Sequence, residues 1–79
     1  MKRHEILGII EEVASLPSGT VEGNEPLSSL PGWDSLTGVT FRVVVQDRWR
    51  VSLSGVALSR CETVSDIVGL LRQHIVDGD

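Results

Sequence analysis

The chain has 79 residues, a formal net charge of −4, 41% hydrophobic and 23% charged residues, eight glycines and three prolines. A domain of this size buries only about 60% of its unfolded surface and has room for one core and one surface site, which disfavours an enzyme with a full substrate pocket. The acidic balance also argues against nucleic acid and against an anionic membrane, both of which select basic surfaces.

Met1-Lys2-Arg3 leads into no apolar run long enough for a signal peptide, and nothing approaches a membrane-spanning length. The single Cys61 cannot form an internal disulfide. A cytoplasmic protein is expected, and Met1 with the short tails suggests a free-standing one.

Residues 3–16 form the first periodic segment. Ile6, Ile9, Ile10, Val13 and Leu16 recur at helical spacing, with Glu5, Glu11 and Glu12 expected on the surface. Leu16-Pro17 ends this helix, because the residue before proline is pushed out of the helical region. Residues 17–33 are dense in Pro, Gly, Ser and Asn and read as a loop. The loop is long for a compact domain, so Val21, Leu27 and Leu30 are expected to anchor it to the core.

Residues 35–49 carry conflicting signals. The run from Val39 to Val45 is β-branched and aromatic, which favours a strand. Asp34 is a good helix N-cap, and the apolar positions divide at about 100° per residue into two stripes. One stripe is Leu36, Val39 and Val43; the other is Phe41, Val45 and Trp49, and Val44 lies between the two on one side. No second strand of comparable strength exists to pair with, so a helix is expected. Residues 50–62 are irregular, with a short helical turn near 55–60 and with Val51, Leu53, Val56 and Leu58 packed inward. Thr63-Val64-Ser65-Asp66 resembles a capping box and opens a last helix over 64–76 on Val64, Ile67, Val68, Leu71 and Ile75. Gly78 then closes the chain. The fold expected is all-α: a small four-helix bundle of three main helices and one short one, with a long loop between the first and second.

The chemistry concentrates at Pro31-Gly32-Trp33-Asp34-Ser35-Leu36, where the long loop meets the second helix. Ser35 falls in a first turn whose N–H groups are unpaired and whose dipole end is positive, a setting that favours a phosphate. The Asp34 carboxylate would repel that phosphate unless it is committed to capping or a metal ion lies between them.

From Asp34 to Leu71 the chain resembles the acyl carrier protein family without a gap. In that family an Asp-Ser-Leu motif opens the second helix, and here Asp34-Ser35-Leu36 stands in its place. Val39 and Phe41 match the apolar positions that follow, Trp49 an aromatic position, Leu53 an Ile position, and Thr63-Val64 the opening of the last helix. The resemblance implies one carrier domain over residues 1–79, a non-catalytic monomer with 4′-phosphopantetheine attached covalently to Ser35. A phosphopantetheinyl transferase, using coenzyme A and a metal ion, would install the arm. An acyl- or aminoacyl-loading enzyme would charge it, and synthase or tailoring enzymes would use the thioester. The second helix departs from the strongly acidic docking helix of fatty-acid carriers. Thr40, Arg42, Gln46, Asp47, Arg48 and Arg50 occupy that surface, and only Asp47 is acidic. Gly-Trp-Asp-Ser-Leu also looks more like carriers of polyketide or nonribosomal peptide biosynthesis than of housekeeping fatty-acid synthesis.

Each of these residues also has a plainer reading. Asp34 could only cap the helix or could also assist metal-dependent loading. Leu36, Val39 and Val43 could be core, but a small bundle needs one apolar stripe per helix, so this spare stripe reads as a docking face for partners, with Thr40 and Asp47 beside it. Trp33 could cover the loop or shape the arm's exit and a partner contact. Cys61 reads as a small buried hydrophobe, and His4 and His74 as surface residues too few for a metal site. Arg48 and Arg50 complement the negative end of their helix as readily as they would meet a partner. A Ser-His-Asp hydrolase is disfavoured, because Gly-x-Ser-x-Gly is absent. A carrier fold that is never loaded remains the second alternative.

Overall fold

A computed structural model describes residues 1–75. Four α-helices follow one another: α1 over Arg3–Val13, α2 over Ser35–Trp49, α3 over Gly55–Ser59 and α4 over Val64–Leu70. Short 3₁₀ turns lie at Leu27–Ser29 and Arg72–His74. The all-α expectation holds, including the contested second helix.

One core joins these elements. Ile6, Ile9 and Ile10 of α1, Phe41 and Val45 of α2, Leu58 of α3, and Val64 and Ile67 of α4 are all buried. β-Branched residues therefore build α2 despite their strand preference. The fully buried Phe41 and Val45, one turn apart, dock that helix on the others, and tertiary burial outweighs local propensity. Trp49 of the same stripe is half-buried against the core.

The long loop is tied down along its length. Val21, Leu27 and Leu30 are buried as expected. Pro26 and Thr63 form an antiparallel bridge, in which Leu27 N–H donates to Glu62 O at 2.8 Å and Val64 N–H to Glu25 O at 2.9 Å. The Ser65 hydroxyl donates to Gly23 O at 2.8 Å. Glu11 is not on the surface: it is buried, and its Oε2 accepts the Val21 N–H at 2.8 Å. A loop amide facing the core needs an acceptor, and this carboxylate supplies it.

Three other expectations are corrected. The first helix stops at Val13, before Pro17, because Ser15 turns into the left-handed region at φ 58°. The last α-helix stops at Leu70, where the chain tightens into 3₁₀ geometry, with His74 N–H donating to Leu71 O at 2.9 Å. Val76 and Gly78 lie outside the described residues. Val56 is 62% exposed. It sits two residues from the buried Leu58, about 200° around the helix, so a five-residue α3 cannot bury both.

Candidate functional site

Gly32 sets the entry to α2. A Cβ there would overlap the Ala14 carbonyl, so only glycine lets the loop pass this close to the end of α1. Trp33 follows, half-buried, with its ring edge-on to Phe41 at 6.0 Å and 66°. It packs against the core and also borders the groove described below.

Asp34 is the N-cap of α2. Its Oδ1 accepts the Thr37 N–H at 2.8 Å and lies 2.9 Å from Thr37 Oγ1. The backbone and then the side-chain bond from Thr37 hold the Asp34 carboxyl below its ordinary range. It is therefore a carboxylate at neutral pH, with one oxygen committed to capping. Thr37 is a further residue of this site, one that the Asp-Ser-Leu motif does not include. It is buried, and its hydroxyl also lies 2.8 Å from Gly32 O, sharing one proton between two acceptors. The Asp-x-x-Thr spacing was the available signal, since the third helical position faces the cap.

Ser35 begins the helix and is exposed. It borders a groove of about 500 Å³, lined among others by Trp33, Val39, Arg42, Leu58 and Cys61. Among the described residues neither histidine nor glutamate lines it, and Oδ1 of Asp34 is engaged with Thr37. Cys61 is half-buried and packs against the core. Burial, then the negative charge of Asp66, raises its thiol pKa, as suits an inert packing residue. His4 and His74 are exposed, and among the described residues no cluster of three metal-ligating side chains occurs.

The spare stripe of α2 faces outward. Leu36 is 73% exposed, Val39 50% and Val43 61%. Thr40 and Asp47 are exposed beside it, and the Thr40 hydroxyl bonds to Leu36 O. Arg42 leaves the outer face where the sequence placed it. It is half-buried, and its Nε–H donates to Leu53 O at 3.1 Å, fastening α2 to the segment before α3. Arg48 stays exposed in a loose ion pair with Glu12 at 3.7 Å, which contributes little to stability. Arg50 turns into the left-handed region at φ 57° and caps α2 through its N–H to Gln46 O. Among the described residues no helix is long and apolar enough to cross a membrane.

Comparison with known proteins agrees with this arrangement. Residues 4–71 match the family model described as a phosphopantetheine attachment site. A solved structure assigned as an acyl carrier protein of Mycobacterium tuberculosis superposes with a TM-score of 0.77 at 19% identity. The match covers 92% of this chain and 97% of that one. No curated protein matches the sequence.

Proposed function

The chain belongs to the phosphopantetheine-attachment family of acyl carrier proteins, and from that premise we propose that Ser35 bears the 4′-phosphopantetheine arm in a single carrier domain. The observation that carries this reading is the exposed Ser35 at the first position of α2, beside a groove and an outward apolar stripe. Once attached, the arm supplies a thiol that holds acyl or aminoacyl groups as thioesters.

This chain's own residues present rather than activate. Asp34 and Thr37 fix the start of α2, so the Ser35 hydroxyl stands in solvent with its phosphate-to-be near the positive end of the helix. The Ser35 oxygen would attack the pantetheine-side phosphorus of coenzyme A's pyrophosphate, losing its proton to a base on the transferase, while the pyrophosphate P–O bond breaks and adenosine 3′,5′-bisphosphate leaves. The Asp34 carboxylate oxygen not bonded to Thr37 would help to hold the metal ion used in that transfer. The domain is a monomeric, cytoplasmic, non-catalytic carrier.

Leu36, Val39 and Val43 dock partner enzymes, flanked by Trp33, Thr40 and Asp47. Those partners are the transferase, a loading enzyme, and synthase or tailoring enzymes. The pathway is of the polyketide or nonribosomal peptide type. Asp47 is the sole acid on α2, next to Arg48, so the basic partners of fatty-acid synthesis would find little to attract them.

The test is intact mass after incubation with coenzyme A and a broad-specificity phosphopantetheinyl transferase. One phosphopantetheine is gained by the wild type and none by Ser35→Ala. A wild type that gains nothing from active transferases would instead be an unloaded interaction module.

A further inference from the structure

Among the described residues, Arg42 is the one cationic side chain that lines the groove beside Ser35. It stands seven residues after Ser35 in α2, about 10.5 Å further along the same helix and on nearly the same face. Its Nε–H is spent on Leu53 O. A guanidinium has five N–H donors, and the four on Nη1 and Nη2 have no partner among the described residues. The guanidinium lies over Gly55, where a Cβ would come within 2.9 Å of Nη1. The missing side chain leaves room for the fork, and the Nε bond fixes its plane.

Apart from the Asp34 carboxylate beside Ser35, whose Oδ1 is bonded to Thr37, the rest of the groove is mostly apolar or weakly polar. Leu27, Val39 and Leu58 line it together with Ser28, Ser59 and Cys61. Such walls exclude part of the water that would screen a charge. A half-buried arginine with a planar fork of unused donors is built to bind a carboxylate through two parallel bonds.

Resting on the Ser35 reading, we infer that Arg42 receives a carboxylate at the far end of the cargo, so that this carrier favours carboxyacyl thioesters. An aminoacyl cargo presents an ammonium group, which Arg42 repels. A neutral acyl chain leaves the fork unpaired. The site therefore selects among cargoes by the charge at their free end.

The test loads the full chain with coenzyme A, succinyl-coenzyme A or butyryl-coenzyme A through a broad-specificity transferase, with mass confirming each product. In ¹⁵N-edited spectra the Arg42 Nε–H resonance is expected to move on succinylation and to stay at its holo position on butyrylation. A free succinyl carboxylate attacks its own thioester carbonyl, closing succinic anhydride as the C–S bond breaks and the arm's thiolate leaves, and a carboxylate held by Arg42 cannot. The succinyl thioester should therefore be lost roughly threefold more slowly in the wild type than in Arg42→Gln, consistent with the modest strength of a part-exposed ion pair. The butyryl thioester should decay equally in both. Equal shifts with succinyl and butyryl overturn the inference. So does a shift already complete in the holo form, which would place the arm's phosphodiester at Arg42. Absence of any mass gain overturns the Ser35 reading itself, and this inference with it.

Discussion

Thr37 and Asp34 are bonded twice across the first turn of α2, through the Thr37 N–H at 2.8 Å and the Thr37 hydroxyl at 2.9 Å to the same Oδ1. The same hydroxyl reaches back to Gly32 O at 2.8 Å. One buried side chain thus locks both the end of the loop and the cap that precede Ser35.

Substitutions at this pair separate capping from loading. Thr37→Val keeps the shape and removes the hydroxyl, so it should cost about 1 kcal/mol in urea denaturation. Asp34→Asn retains an oxygen for the Thr37 N–H, and Asn caps nearly as well as Asp, so its urea midpoint should fall only slightly, by the charge-dependent part of that cap. Its rate of phosphopantetheinylation should nevertheless fall roughly tenfold, through loss of the charge offered to the metal ion. Loading of Asp34→Asn at the wild-type rate would reduce Asp34 to a cap.

The fold should weaken in acid through three carboxylates. Bonds from the Glu22 and Gly23 amides lower the pKa of Glu25 from its ordinary 4.5, bonds from Thr37 lower that of Asp34 from 3.8, and bonds from the Glu62 and Thr63 amides lower that of Asp66 from 3.8. A carboxylate with a depressed folded pKa stabilises fully above its unfolded value and loses that contribution as pH falls through the folded one. The Tm should therefore be level near neutrality and decline as pH drops below 4.5 and then 3.8. Asp66→Asn should show a shallower decline, because one of the three linked protons is gone. An unchanged slope in that variant would show that its capping bonds do not distinguish the folded from the unfolded chain.

The sequence made the helices and the serine legible because periodicity and caps are local. Ile6, Ile9 and Ile10 declare a buried face by spacing alone, and Thr63 with Asp66 forms the capping box that the motif promised. What escaped depends on partners far along the chain. Nothing local says that Glu11 turns inward to meet the Val21 amide ten residues later. Nor does it say that Arg42 folds under α2 to reach Leu53 instead of joining Arg48 outside. Val56 is read correctly only once α3 is known to be too short to have two buried faces. The groove is of the same kind, since Trp33, Arg42 and Cys61 meet there only after α2 and α3 pack.

The two stripes of α2 give the sharpest contrast between stability and function. Phe41 is fully buried and Val43, two residues on, is 61% exposed. Phe41→Ala should cost roughly 3–5 kcal/mol, the range for emptying an aromatic site in a core, enough to unfold a marginal domain of this size. Val43→Ala removes two methyl groups that already face water, so its Tm should match the wild type. If the outer stripe docks partners, Val43→Ala should still slow phosphopantetheinylation at subsaturating carrier, raising KM with kcat nearly unchanged, because the lost contact serves binding and not the chemical step. Val43→Lys should slow it further, by putting a charge where an apolar surface must dock. Both variants loading at the wild-type KM would leave the stripe without a role in docking the transferase.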